Sequence, residues 1–368
     1  MTSGRDWRVD ALRGYFLAIM MVAHLPSNPL RHVTHYAFGF FSAPDGFVFL
    51  SGMTCGWVYL RLARRHGFAA LEKRIQRRFL ILYCSHILLV SFYLLQPRLL
   101  ELPGARLEYA RAHPFQAWMC AALFLYQPRF LDILPMYCVF LLFVPIVLKQ
   151  MSAGRAWFPL AASAILWTMA QFGVGDRSTA VFWLDLGRFN LLAWQAYFFV
   201  GLYLGYRRAE HSDCVVPRWW WLFALCGAVV VALFIVRHDH TLLPVPWWWA
   251  KLNLNPDRSP IRFLNFACAA YVFSFLPRRF DNKVESWKLS RFFSLLGRHS
   301  LPVFCWSVLV SSWALAQTAT WEASPAAARI AMTLVGVLVL AVPALVYEQY
   351  RSMRRRVASV PPVLARAA

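Results

Sequence analysis

The stretch "RVDALRGYFLAIMMVAH", Arg8 to His24, decides how the chain is read. It opens on three charges, Arg8, Asp10 and Arg13, then runs almost wholly apolar and ends on an imidazole. A helix rises about 1.5 Å per residue, so His24 lies about 16 Å beyond Arg13. That is past the middle of a hydrocarbon core about 30 Å thick. An ionisable group at such depth is costly and marks a functional site by default. The alternative is a histidine hydrogen-bonded inside a helix bundle or near the outer interface.

The rest of the chain supports a membrane setting. Of 368 residues, 60% are hydrophobic and only 15% charged, against about 25% charged in soluble domains. Mean hydropathy is +0.48. Apolar runs recur at about 14–30, 44–62, 79–96, 131–148, 156–173, 189–206, 219–236, 261–277, 300–318 and 327–348. The expected fold is an all-α polytopic membrane bundle of about ten transmembrane helices. The first run ends in HLPSNPL without a small-residue cleavage pattern, so it does not read as a cleaved signal peptide.

The net charge of +21 raises the question of nucleic acid, and its distribution answers it. Of the 38 Lys and Arg, 26 fall on the N-terminus and alternate connections. This positive-inside pattern puts both termini in the cytoplasm. The basicity serves topology and attraction to anionic headgroups, and no nucleic-acid partner is expected. The eight cysteines include no CxxC and no Cys/His metal spacing, so neither a disulfide nor a metal site is expected.

Residues 1–350 read as one membrane domain and 351–368 as a flexible basic cytoplasmic tail. The apolar segment 113–127 is bounded by prolines and short for a span, which suggests an interfacial or re-entrant element. The Trp triplets 219–221 and 247–249 fall on opposite expected faces and suit interface anchoring. Trp247 and Trp248, on the outer side, can also stack on sugar rings.

Asp45 stands at the outer mouth of the second span, ahead of "FVFLSG" and the small residues Ser51, Gly52 and Gly56, which suit close helix packing. His24 and Asp45 form a plausible general-base pair, the carboxylate fixing the imidazole tautomer. Asp45 also fits a plain helix N-cap. The inner connection 61–78 carries seven basic residues, with Arg74 and Arg78 at i, i+4 on one helix face. Clustered guanidinium groups suit phosphates. A donor with a phosphate-rich head and a long thin arm, such as an acyl-CoA, fits a basic site inside and a His/Asp pair outside.

These motifs carry a resemblance. The opening arginine with D-x-L-R (Arg8, Asp10–Arg13), the late histidine of the first span (His24), the FF-x-SG-like element (Phe47–Gly52) and the RxxxR-like pair (Arg74, Arg78) resemble the acyltransferase-3 superfamily. "LDILPMY" (Leu131–Tyr137), "NLLAWQ" (Asn190–Gln195) and "LGRHSLPVF" (Leu296–Phe304) look most like its OpgC branch, linked to succinylation of osmoregulated periplasmic glucans. The resemblance spans nearly the whole chain. Asp45 replaces a more usual Glu, and "SAPDG" departs from the usual lead-in; both bear on the acceptor rather than on the reaction type.

The resemblance implies O-acyl transfer across the bacterial inner membrane, from cytoplasmic acyl-CoA to a glycan hydroxyl, with succinyl favoured over acetyl. His24 would be the base and Asp45 its orienting group. Arg8, Arg13, Arg74 and Arg78 would hold donor phosphates or the inner helix ends. Asp132 and Tyr137 would line the acceptor side, and Asp10 would pair with Arg13 or cap the first helix. Gln195 would line the cavity or tie helices together. His299 would sit at a solvated inner interface. A succinyl carboxylate needs a further cation, with Arg31, Arg129 and Arg188 as outer-side candidates. The competing readings are a transporter or flippase for a small anionic or glycan-linked solute, and an enzyme acylating an intracellular or lipid-linked acceptor. No internal repeat or midplane polar track of the transporter kind is visible.

Overall fold

The computed structural model describes residues 6–35, 37–100, 105–128, 130–175, 189–211, 216–239, 259–275 and 281–358. Every regular element among them is a helix. Among the described residues four helices are long and apolar enough to cross a membrane, or five if a helix pair bent by 93° counts as one span. The chain divides into two compact units, residues 1–30 with 280–368, and residues 31–279.

The first unit joins the two ends of the sequence. Helix α1 (Trp7–His24) carries the opening stretch. Its cap is Asp6, whose carboxylate accepts from the Arg8 amide at 3.0 Å. Capping by Asp10, one of the roles expected for it, is thereby taken by the residue four places earlier. Asp10 itself is buried, and its carbonyl meets Gly297, where a Cβ would come within 1.8 Å of that oxygen. Gly14 makes the reciprocal contact, since its Cβ would lie 1.9 Å from the Phe293 carbonyl. Two glycines facing each other let the backbones touch, the usual device for packing helices in lipid.

The unit's other described helices all come from the end of the sequence.

 

Numbered along the chain, they are α13 (Lys288–Arg298), α14 (Ser300–Ala316), α16 (Ala326–Val339) and α17 (Ala341–Ala358), with the short α12 (Asp281–Ser286) and α15 (Thr318–Ala323) between them. Helix α13 lies against α1, with Tyr15 edge-on to Phe293 at 5.6 Å. His299 marks the 93° bend into α14. Its Nε2 lies 3.4 Å from Glu348 Oε1 on α17, so the residue is buried at a bend rather than solvated at an interface. Residues 351–358 continue α17 as helix, and the remainder of the expected tail, 359–368, falls outside the described residues.

The second unit is built on α3 (Ala43–Leu94), 52 residues interrupted at Gly67. There φ is +82°, a left-handed conformation that costs little only for glycine. The basic stretch expected as the connection 61–78 is therefore helical on both sides of a single break. The unit also holds α2 (Leu30–Thr34), α4 (Pro97–Leu100), α5 (Ala105–Ala112), α6 (Pro114–Ala122), α7 (Ile133–Ser152), α8 (Trp157–Gln171), α9 (Leu191–Glu210), α10 (Trp220–His238) and α11 (Pro260–Ser274).

Helices α3 and α9 form a glycine seam. A Cβ on Gly52 or Gly56 would lie 2.0 or 2.1 Å from the carbonyls of Phe198 or Leu202. On Gly201 or Gly205 it would lie 2.2 or 2.0 Å from those of Phe49 or Met53. The small face around Gly52 and Gly56 thus finds its complement in a second small-xxx-small pair. Helix α6 within the apolar segment 113–127 has nine residues, a rise of about 14 Å, half a hydrocarbon core. It is tied to the second arm of α3 by bonds from Tyr83 Oη to Ala122 O (3.2 Å) and Trp118 Nε1 to Ser91 Oγ (3.0 Å). His86 Nε2 also lies 3.1 Å from Ala121 O.

Candidate functional site

In the first unit, α1 sets three expected site residues along one rod. Arg8 and Arg13 occupy its first turns and His24 is its last residue, all three half-buried. Arg13 Nη2 donates to Ser300 Oγ at 2.7 Å, which anchors the basic end on α14. The His24 end is fixed by Asn28. Its Nδ2 donates to the Val22 carbonyl and its Oδ1 accepts from the Leu30 amide, each at 3.0 Å. The chain therefore leaves α1 through a closed turn, and the imidazole stands at a defined place.

In the second unit, Asp45 is fully buried at the start of α3. It accepts from the Ser42 amide at 2.7 Å, which is the capping expected of an acid in the first turn. It also meets a partner absent from the sequence reading. Arg262 Nε donates to its two carboxylate oxygens at 2.9 and 3.1 Å, and Nη2 donates at 2.8 Å to Oδ2 and at 2.8 Å to Ser42 Oγ. The guanidinium also covers the Trp194 ring, 5.1 Å from its centroid. A cation inside the apolar run 261–277 was the signal for this pair, since a charge within a span calls for a partner of opposite sign.

Removing one member would leave the other charged and buried. Asp45→Ala or Arg262→Ala is therefore expected to cost about 3–5 kcal/mol. The double variant should recover much of that loss, and denaturation of purified protein in detergent measures the coupling.

His35 lies in the connection before α3. Its pKa is lowered to about 4, first by burial, then by Arg31, Arg262 and Arg237, with Asp45 opposing. A histidine near its ordinary value binds protons more readily in the unfolded chain. Folded stability should therefore fall as pH drops from about 6.5 towards 4 and level off below. His35→Gln should flatten that part of the profile, read as thermal midpoint against pH for both proteins.

Arg74 and Arg78 lie one turn apart on the second arm of α3. Both act electrostatically on Tyr59, and Arg78 also on Tyr137 and Cys138 of α7. Arg74 is exposed and Arg78 half-buried. Tyr137 Oη lies 3.3 Å from Cys55 Sγ and its ring meets Phe198 edge-on. Asp132 is buried immediately before α7. Gln195 accepts from Ser163 Oγ at 2.7 Å and donates to the Ser163 and Leu192 carbonyls at 2.8 and 3.0 Å. Its amide ties α8 to α9, the second of the two roles expected for it. Trp247, Trp248, Arg129 and Arg188 lie outside the described residues.

The sequence as a whole matches the family model described as OpgC protein over residues 5–352. The chain belongs to the OpgC family. Membership makes it a transferase of the membrane acyltransferase type, with a role in glucan modification. Comparison with curated proteins and with solved structures found no match. The OpgC match takes in both units, including α1 with His24, the Asp45–Arg262 pair and the Arg74/Arg78 face.

Proposed function

We propose that this OpgC-family chain is a multi-pass O-acyltransferase of the bacterial inner membrane, with about ten spans and both termini cytoplasmic. It takes an acyl group, succinyl before acetyl, from cytoplasmic acyl-CoA and passes it to a hydroxyl of a periplasmic or cell-surface glycan. The observation that carries this reading is the family match over residues 5–352. The alternation of basic connections supports the topology.

His24 is the general base of the proposal. It removes the proton of the acceptor hydroxyl as the oxygen attacks the thioester carbonyl. The tetrahedral intermediate then collapses to the ester, and the departing thiolate takes that proton as the CoA thiol. Arg8 and Arg13, at the opposite end of α1 from His24, suit donor phosphates at the cytoplasmic side. Arg74 and Arg78 supply the same chemistry within their own unit. Asp45 acts through Arg262 and Ser42, holding the start of α3.

The test is thiol release by purified protein given succinyl-CoA or acetyl-CoA and a glucan acceptor, with ester formation followed by mass. Acceptor-dependent release with succinyl-CoA preferred is expected. Absence of transfer with every donor, or movement of a solute across liposomes without CoA, would overturn the reading.

A further inference from the structure

Helix α13 (Lys288–Arg298) meets α14 (Ser300–Ala316) at 93°. The 17 residues of α14 rise about 25 Å, most of a hydrocarbon core, whereas the 11 of α13 rise about 16 Å. With α14 crossing the bilayer, α13 lies along its plane. Its depth follows from its neighbours in the same unit. Gly297 packs on the Asp10 carbonyl and the Phe293 carbonyl on Gly14, so α13 rests on the charged first turns of α1. Its last residue, Arg298, lies 3.4 Å from Glu348 on α17. There α17 passes from apolar residues to Arg351 and Arg354, both exposed. The charged ends of two helices thus meet α13, and such ends belong among headgroups rather than in hydrocarbon.

The sequence of α13, KLSRFFSLLGR, suits that level. Helical spacing puts Leu289, Phe292, Phe293 and Leu296 on one side, with Arg291, Ser294 and Arg298 opposite and Lys288 on the border. The protein covers only the later part of the apolar side. Leu296 is fully buried and Phe293 meets Tyr15. By contrast, Leu289 is 63% exposed and Trp287, just before the helix, 55%. Lys288 and Arg291 are exposed beside them. The helix holds three cations and no acid, and Glu285 stands exposed on α12, one turn before Lys288.

We propose that α13 is an interfacial helix that docks on an anionic phospholipid surface. Trp287 and Leu289 enter the acyl boundary, while Lys288 and Arg291 meet headgroup phosphates. An uncovered apolar strip bordered by cations, on a helix running in the bilayer plane, is the arrangement such surfaces bind. Tryptophan at the junction adds an interface anchor. A protein partner could also cover Leu289, but it would need acidic groups to match Lys288 and Arg291, which the leaflet already offers. Because α13 grips Gly14, the lipid also braces the helix that carries Arg8, Arg13 and His24. The inference is independent of the acyl-transfer reading.

The test places the whole protein in nanodiscs of phosphatidylcholine, alone or with phosphatidylglycerol, and follows amide hydrogen exchange in peptides covering 287–298. Each cation near an anionic surface contributes about a factor of five. Phosphatidylglycerol should therefore slow exchange there about tenfold or more, and high salt should shrink the difference. Lys288→Gln combined with Arg291→Gln should lose the response, and Lys288→Arg combined with Arg291→Lys should keep it. Both pairs should stay folded, since the side chains are exposed, and circular dichroism checks this. In a second arm, photoreactive benzoylphenylalanine replaces Leu289 and should cross-link to phospholipid. Exchange indifferent to lipid charge, or a response intact in the glutamine pair, would overturn the proposal. So would cross-links to a second protein molecule in place of lipid.

Discussion

His24→Ala is expected to lower acyl transfer by about 10²- to 10⁴-fold, the usual contribution of a positioned general base. The variant should still fold. His24 is the last residue of α1 and only half-buried, and the turn beyond it is closed by Asn28 rather than by the imidazole. Single-turnover acyl release, measured beside the thermal midpoint, separates lost chemistry from lost structure. His24→Gln keeps a polar side chain of similar reach but cannot act as a base, so it should be as inactive as the alanine. Turnover within tenfold of the unaltered protein in either variant would remove His24 from the mechanism. Recovery of an acyl group on the histidine after rapid quenching would make it the nucleophile instead.

The second large effect is structural. Gly56→Leu or Gly205→Leu is expected to prevent assembly of the second unit. A Cβ at either place would fall 2.0–2.1 Å from a backbone carbonyl of the facing helix. A side chain in the way can rotate, but a helical carbonyl cannot leave without moving its helix. Overpacking typically costs about 1–3 kcal/mol where neighbours yield, and these neighbours are rigid, so even alanine at these sites should reach the upper end. Gly227→Ala is the control. It also lies in a helix, but nothing stands within 4 Å of its Cβ, and alanine is the better helix former. Recovery of monodisperse protein should collapse for the leucine variants and hold for the control. Equal recovery of all three would show that the seam is not needed for folding.

Local patterns in the sequence foretold much of this. The hydropathy runs mark where the helices lie, because each span must satisfy its backbone within itself. Ser51, Gly52 and Gly56 announced a close-packed face. Its partner, Gly201 and Gly205, follows the same spacing, but nothing local says that the two pairs meet. The i, i+4 relation of Arg74 and Arg78 was legible because it depends only on helix geometry. The Asp45–Arg262 pair was harder, since it joins residues 217 positions apart. A charge count by loops treats Arg262 as topology, although it stands inside an apolar run. The cap on α1 went to Asp6 rather than Asp10 because the helix starts a full turn earlier, at Trp7, which leaves Asp10 inside it. The break at Gly67 follows from its positive φ, which hydropathy does not record.

The contact between Gly14 and Gly297 has a bearing on biosynthesis. The helix holding the proposed base is made well before the helix that receives it, which is encoded beyond residue 287. At about 5–20 residues per second, α1 waits on the order of tens of seconds in the lipid before that partner exists. During this interval Asp10, and Arg13 before Ser300 exists, depend on headgroups, water or a chaperone. Chains that terminate early would then carry the histidine on an unaccompanied segment, so activity would arise only in polypeptides that extend through α13.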